Sequence, residues 1–290
     1  MSDSSLNIHE KDRLRSFSTV FTRSGFSKLR EGADLSRLSQ LKNRYNIPSK
    51  LQNYWDFLQF IYRELTRNYR NEYVVKNELL SQILLSKYRS KATSIFSEFK
   101  LVHSIGDMAM FNGCSKVFEI KTEFDSAKRL ETQLTEYSEV FDKVYVVVME
   151  RYLKNYISHI PSHVGIIIGE ETGSKFRLST FREADDSVDF NCVTLLKALH
   201  IAEYQNIIIS YFGELPEVSR FKMFEECKAL FRIIPEEDLR KLFLQQVKQR
   251  STVSHDLWKI PRECRQISLA MKLDASTTNS IKNFLQSIPI

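Results

Sequence analysis

GDMAMFNGCSKVFEIK, residues 106–121, is the stretch that decides the fold of this chain. Two apolar runs flank Asn112-Gly113, a dipeptide typical of β-hairpin turns. An acid, Asp107, opens the first run, and an acid and an amine, Glu119 and Lys121, close the second. We therefore expect a hairpin that brings two carboxylates and one amine together.

The length of the hairpin loop decides whether the two acids meet. Side chains alternate faces along a strand, so slipping the pairing by one residue turns every side chain to the other face. An odd-length loop such as 112–114 pairs Phe111 with Ser115 and sets the two acids opposite each other. A two-residue loop puts them on opposite faces. We predict a three-residue or similar odd-length loop, with its glycine in the left-handed conformation.

Carboxylates that cluster repel one another, so the arrangement is best explained by a divalent cation between them. A lysine beside such a cation is well placed for chemistry on water or phosphate. The sequence upstream of the hairpin adds one more acid. A helical pattern at 77–85 carries Glu78 in its first turn, and a strand is expected near 94–103.

The sequence downstream of Lys121 predicts a helix and then a buried strand. Asp125 can cap a helix through 126–137. That helix carries Gln133 and Tyr137 four residues apart, hence on one face. The run at 143–149 is apolar and largely β-branched without alternation, which is typical of a strand buried on both sides.

This order of elements resembles the PD-(D/E)XK nuclease superfamily over roughly residues 73–170. Asp107 matches the first metal-binding acid of that superfamily, and Glu119 and Lys121 match its (D/E)-x-K pair. Glycine precedes Asp107 where the motif usually has proline, a position that varies in the superfamily. The acid-x-lysine motif alone is common by chance, so the resemblance depends on the ordered set.

Two further matches point to particular branches of the superfamily. Gln133 and Tyr137 look like the Q-x-x-x-Y motif of the RecB-like and lambda-exonuclease-like branches. Glu78 matches the acid often found on the first helix. The resemblance implies an α/β fold with a restriction-endonuclease-like core, in which helices flank a central mixed sheet in the order α-β-β-β-α-β.

Outside the stretch that carries the resemblance, helical patterning predicts additions at both ends of the core. We expect a basic helical N-terminal region at 1–72, the nuclease core at 73–192 and a helical C-terminal domain at 193–290. The C-terminal helices are a candidate interface for a homodimer or a partner protein.

The implied activity is that of a Mg²⁺-dependent deoxyribonuclease, a hydrolase of phosphodiester bonds, with Mn²⁺ as an alternative ion. DNA is the expected partner and substrate, and RNA is an alternative. The expected metal ligands are Asp107, Glu119, the backbone carbonyl of Ile120, and Glu78. The expected catalytic residues are Asp107, Glu119, Lys121, Glu78, Gln133 and Tyr137.

The individual roles stay open at this point. Glu78 is expected to bind the metal directly, to hold a metal-bound water or to help a second ion. Lys121 is expected to orient or deprotonate the attacking water, or to stabilise the transition state. Gln133 and Tyr137 are expected to position either the scissile phosphate or the lysine.

Simpler readings of the same residues exist. In these readings, Glu119 and Lys121 would form a salt bridge on a solvated strand face. Glu78 would interact with the positive end of the helix dipole at a helix N-terminus. Gln133 and Tyr137 would be an ordinary pair on a helix surface. On those readings the chain is a catalytically silent nucleic-acid-binding or protein-interaction module that retains the nuclease fold.

Composition is compatible with a soluble cytoplasmic nuclease. The net charge of +6 divides into +5, −2 and +3 for residues 1–72, 73–194 and 195–290, so basic flanks surround a slightly acidic centre. The four cysteines show no C-x-x-C spacing, and no apolar run reaches the roughly 20 residues of a membrane span. A stand-alone nuclease of this kind suggests defence against foreign DNA.

The segment 9–31 mixes arginines with Phe17, Phe21 and Phe26. Such aromatics either stack on nucleic-acid bases or dock an amphipathic segment on its own protein, and we favour docking. Helices are expected at 34–46, 50–68, 193–212, 217–233, 236–250, 262–272 and 276–287. A last core strand and a turn are expected between Gly165 and Gly173.

Overall fold

The computed structural model describes residues 8–30, 35–87, 93–122, 127–173, 175–187, 189–250 and 252–290. The expected helix cap Asp125 lies outside these ranges. Within them the strands are β1 (Ser94–Lys100), β2 (Ile105–Phe111), β3 (Ser115–Lys121), β4 (Lys143–Met149), β5 (Gly165–Thr172) and β6 (Lys175–Arg182).

The helices before the sheet are α1 (Ile8–Ser18), α2 (Arg23–Arg30), α3 (Ser36–Arg44), α4 (Tyr54–Asn68), α5 (Glu72–Glu78) and α6 (Leu85–Lys87). A π-helical segment, Leu79–Leu84, joins α5 to α6. The helices within and after the sheet are α7 (Leu130–Ser138), α8 (Leu153–Tyr156), α9 (Cys192–Ala198), α10 (Ile201–Phe212), α11 (Arg220–Phe231), α12 (Glu236–Lys248), α13 (Arg265–Met271) and α14 (Ala275–Ser287).

Side-chain caps explain where several helices begin. The amide oxygens of Asn53, Asn71 and Asn191 accept backbone N–H groups at the starts of α4, α5 and α9, and the Asp274 carboxylate does so for α14. Each cap satisfies a donor that the first helical turn leaves unpaired.

The strands described above form one mixed sheet in the order β1-β2-β3-β4-β5-β6. β1, β2 and β3 pair antiparallel as a meander, and β3 and β4 pair parallel. The crossover from β3 to β4 contains α7, as the sequence predicted. The α/β class and a mixed sheet with flanking helices are thus confirmed, and β4 matches the predicted run 143–149.

The chain divides into two compact units. Unit 1 comprises Met1–Arg89, Gly169–Ser179 and Val253–Ile290, and unit 2 comprises Ser90–Ile168 and Thr180–Thr252. The region predicted as one C-terminal domain therefore contributes to both: residues 193–252 belong to unit 2 and residues 253–290 to unit 1.

One hydrophobic core of unit 2 lies on the face of the sheet that carries the two acids. Alternate residues of β2, β3 and β4 contribute to it, and so do apolar residues of α7, α9, α10, α11 and α12. Ala109 and Phe111 of β2 and Val117 of β3 are fully buried there. The next residues of that alternation are Asp107 and Glu119, so the two acids continue the core face toward one end of these strands.

Unit 1 is mainly helical, and its aromatic residues form its core. Phe17, Phe21 and Phe26 are all buried, and the Phe17 ring makes edge contacts with Phe57 and Phe60 of α4. The docking interpretation of segment 9–31 is therefore confirmed for these three aromatics.

Three expectations about elements need correction. The predicted helix 193–212 is two helices, because the chain is extended at Leu199 and His200 between α9 and α10. The strand β6 was missed, although Phe176 and Leu178 alternate with the exposed Lys175 and Arg177. Glu78 is the last residue of α5 rather than part of a first turn, because the Asn71 cap starts that helix earlier.

None of the helices in the described ranges is long and apolar enough to cross a membrane.

Candidate active site

The β2–β3 hairpin has the predicted register. Phe111 pairs with Ser115 across a three-residue loop, and Gly113 in that loop has φ +102°, in the left-handed region. The ladder ends with the pair of Met108 and Phe118. The next residues along each strand are Asp107 and Glu119, so the odd-length loop sets the two acids opposite each other.

The Asp107 side chain accepts a backbone hydrogen bond just beyond the last paired residues of β2 and β3. Its Oδ2 atom accepts a hydrogen bond from the backbone N–H of Ile120 at 2.7 Å. The side chain is half-buried, and its carboxylate lies close enough to Glu119 to disfavour a second negative charge there. The hairpin thus fixes the first acid against the strand that carries the second.

Glu119 is nearly fully buried, with only 4% of its surface exposed. Its Oε1 atom accepts a hydrogen bond from Lys121 Nζ at 2.8 Å, and its Oε2 atom accepts one from the Tyr137 hydroxyl at 2.7 Å. Burial and the Asp107 charge raise the pKa of Glu119, and the Lys121 ammonium and the two hydrogen bonds only partly oppose them. The ionised carboxylate is therefore held at an electrostatic cost.

The helix α7 supplies the remaining contacts from one face. Lys121 Nζ donates a second hydrogen bond to Gln133 Oε1 at 2.9 Å, so the ammonium bridges the strand and the helix. The Tyr137 hydroxyl, one turn further on, also lies 3.0 Å from the Ile105 carbonyl oxygen. Burial, followed by the Glu119 charge, raises the pKa of Tyr137 well above its usual value, so the phenol is a permanent donor.

The structure thus brings together five of the predicted side chains in unit 2. The set consists of Asp107, Glu119, Lys121, Gln133 and Tyr137. A solvated salt bridge between Glu119 and Lys121 is excluded, because both side chains are about 95% buried. An ordinary surface pair is excluded for Gln133 and Tyr137, because Tyr137 is fully buried and both contact the acid-lysine pair.

Glu78 belongs to unit 1, where its carboxylate has partners of its own. Its Oε1 accepts from the Tyr62 hydroxyl at 2.6 Å, and its Oε2 accepts from Gln82 Nε2 at 2.7 Å and from the Arg262 guanidinium. Glu78 does not interact with the positive end of a helix dipole as a first-turn acid would, because it is the last residue of α5. Its expected part in metal binding stays a prediction.

The oxygen donors of the cluster fit a hard divalent cation. No group of three or more histidine, cysteine or acidic side chains suited to a metal is found among the described residues. Magnesium, however, is commonly held by one or two carboxylates, and waters and substrate phosphates complete its shell. Asp107 and Glu119 supply such a pair of carboxylates. The contribution of the Ile120 carbonyl stays a prediction.

Sequence reasoning did not find the partners of Glu78. Tyr62 and Arg262 are 16 and 184 positions away in the sequence, so only the folded chain reveals them. Gln82 was detectable, because it lies four residues after Glu78 within a helical pattern.

A protein-family model described as "Bacteriophage P4 protein cII" matches residues 66–273, which is most of the chain. The chain belongs to this cII family. All the predicted site residues fall inside the matched region.

Among curated proteins, protein cII of Enterobacteria phage P4 is 29% identical to this chain over 105 residues. That alignment covers 36% of this chain and 40% of the phage protein, so it spans well under half of either cII-family sequence. Among solved structures, a protein of unknown function from Silicibacter pomeroyi matches with a TM-score of 0.31 at 13% identity, covering 50% of this chain and 94% of that one.

Proposed function

We propose that this cII-family protein is a metal-dependent nuclease of the PD-(D/E)XK type, with a restriction-endonuclease-like core, that hydrolyses phosphodiester bonds in DNA. The observation that carries the proposal is the cluster in unit 2, where two carboxylates, a lysine, a glutamine and a tyrosine from three elements meet in one hydrogen-bonded set. RNA as the substrate and a role in defence against foreign DNA stay predictions.

The paired carboxylates favour a metal-dependent reaction. Asp107 and Glu119 of unit 2 would hold Mg²⁺ or Mn²⁺, with the Ile120 carbonyl as a further expected ligand, and the expected part of Glu78 in metal binding stays a prediction. The bound ion would lower the pKa of a coordinated water and neutralise charge on the phosphate. The raised pKa of Glu119 supports this assignment, because a cation beside the two acids offsets the burial and the repulsion that cause the shift.

The other residues of the cluster serve to position the reacting groups. Gln133 Oε1 and Glu119 Oε1 each accept a hydrogen bond from Lys121, so its ammonium has a defined place beside the acid pair. From there the ammonium can orient a water or donate to a phosphate oxygen in the transition state, whereas deprotonating the water would require the neutral amine. Tyr137, as a permanent donor, fixes the other oxygen of Glu119.

A catalytically silent binding module is the second candidate, and one observation favours it. Both oxygens of Glu119 already accept hydrogen bonds, and one Asp107 oxygen accepts the Ile120 amide. The cluster thus satisfies much of its own hydrogen-bonding capacity without an ion. On this reading the acids and the lysine hold α7 against the hairpin.

Cleavage assays separate the two candidates. The full chain is incubated with linear, closed-circular and single-stranded DNA and with RNA, in Mg²⁺, Mn²⁺ or EDTA. We expect cleavage that needs the metal and is abolished by Asp107→Asn, Glu119→Gln and Lys121→Ala. The control is Glu131→Gln, which removes an exposed carboxylate from the same helix, α7, and should leave cleavage unchanged.

The outcomes have clear meanings. Metal-stimulated cleavage that persists in all three site variants contradicts the site assignment. DNA binding by the wild type without nicking in either metal favours the silent module. Nicking of closed circles identifies an endonuclease.

A further inference from the structure

Unit 1 contains a cavity of about 590 Å³ whose lining is unusually basic. Every residue that lines it belongs to unit 1. Arg63 and Arg67 come from α4, Lys175 and Arg177 from β6, and Arg262 from the segment before α13. The volume falls within the range of roughly 300–1,000 Å³ that is typical of small-molecule sites.

Secondary structure explains why these cations face one space. Arg63 and Arg67 are four residues apart on a helix and share its face. Lys175 and Arg177 are two residues apart on a strand and share its face. The intervening Phe176 is buried and also lines the cavity, so β6 contributes both charged and apolar surface to it.

The acids of the cavity do not neutralise these four cations. Glu78 is bound by Tyr62, Gln82 and Arg262, and Glu263 accepts a hydrogen bond from Gln59 at 2.7 Å. Arg63, Arg67, Lys175 and Arg177 make no ion pair or hydrogen bond within the residues that the structure describes. Five cations and two acids thus line one cavity, which leaves its lining with a formal net charge of +3.

The hydrogen bonds of Gln82 hold the base of the cavity in place. Gln82 donates to Glu78 and to the Phe176 carbonyl, and its own carbonyl accepts the Leu178 amide at 2.9 Å. One side chain thereby ties the π-helical segment to β6, the strand that carries Lys175 and Arg177. Short π-helical turns inside helices are frequent at functional sites.

We propose that this cavity binds a compact polyanion with clustered phosphate groups, of the class of pyrophosphate or a nucleoside di- or triphosphate. Arginine forks bind phosphate oxygens with two parallel hydrogen bonds, and lysine adds a point charge. The cations come from three segments of the chain and line one open pocket, so a ligand with several phosphate groups close together can contact all three segments. Recognition of phosphate groups by these side chains needs no metal.

Calorimetric titration of the full chain in EDTA tests the proposal, since cleavage cannot contribute there. The probes are pyrophosphate, ATP and a short single-stranded oligonucleotide. We expect pyrophosphate and ATP to bind the wild type, and the double variant Arg67→Glu/Arg177→Glu to bind them at least about tenfold more weakly. Both substituted side chains are exposed, so the variant should keep its circular dichroism spectrum and its thermal midpoint.

The control is Lys50→Glu/Lys222→Glu, which changes the net charge equally at exposed positions outside the cavity. It should weaken binding by less than about twofold. Equal weakening in the two double variants overturns the proposal, because the attraction is then a property of the whole basic chain. Failure of pyrophosphate and ATP to bind the wild type also overturns it, and binding of the oligonucleotide alone shows that the phosphates recognised are those of a strand.

Discussion

Substituting Tyr137 by phenylalanine tests the central contact of the cluster in unit 2. The ring stays in its buried place, and only the hydroxyl that donates to Glu119 Oε2 at 2.7 Å is lost. A hydrogen bond to a charged group contributes about 1.5–3 kcal/mol to the free energy of unfolding. We therefore expect Tyr137→Phe to lower that free energy by about 2 kcal/mol at pH 8 in EDTA.

The loss should depend on pH because of the raised pKa of Glu119. Burial and the Asp107 charge raise this pKa, and the Tyr137 hydrogen bond partly lowers it by favouring the ionised form. The variant therefore has a still higher pKa. The difference between the two proteins should be full above the pKa of the variant, and it should shrink as the pH falls to that of the wild type.

Urea unfolding followed by circular dichroism, which reports on both units, measures the difference between the variant and the wild type. Tryptophan fluorescence is unsuitable for unit 2, because Trp55 and Trp258 both belong to unit 1. The control is Tyr211→Phe, which removes a hydroxyl from a partly exposed ring of α10 and should change stability by less than about 0.5 kcal/mol. A loss no larger than in the control, or one that is equal at pH 8 and near pH 4, refutes the reasoning.

Three further predictions concern the hairpin, the metal and unit 1. Gly113→Ala should cost about 1–2 kcal/mol in urea unfolding, because φ is +102° while a Cβ there would meet no atom within 4 Å, so the cost is conformational alone. Mg²⁺ should raise the thermal midpoint of the wild type by binding the folded state, and Asp107→Asn should remove that increase. Asn71→Ala should destabilise unit 1 by about 1 kcal/mol through the lost N-cap of α5, as measured by tryptophan fluorescence.

The hairpin and its acids could be predicted because their determinants are local. A turn dipeptide and a two-residue period fix which side chains share a face within sixteen positions of sequence. The same logic predicted β4, whose continuous apolar run reflects burial on both faces. The contacts of Gln133 and Tyr137 were only implied by the family resemblance, since periodicity gives the shared helix face but not what that face meets.

The partners of Glu78 and the basic cavity could not be predicted in this way. Arg67 and Arg177 are more than a hundred positions apart in the sequence, and both look like ordinary solvated charges. Periodicity places each on one face of its own element, but no local rule brings the two faces together. The alternation around Phe176 did carry information about β6, the strand that supplies two of the five cations of the cavity.

The buried acids Glu78 and Glu119 differ in how well their partners balance their negative charge. The Glu78 carboxylate is matched by an arginine, an amide and a phenol, so its charge is balanced within unit 1. Glu119 has a lysine and a phenol, yet the adjacent Asp107 and burial outweigh them, and its pKa is raised. The Lys121 ammonium pairs with Glu119, but two neighbouring carboxylates at a buried place repel each other. This repulsion supports the proposal that a cation binds at the acid pair, because its charge would offset the repulsion.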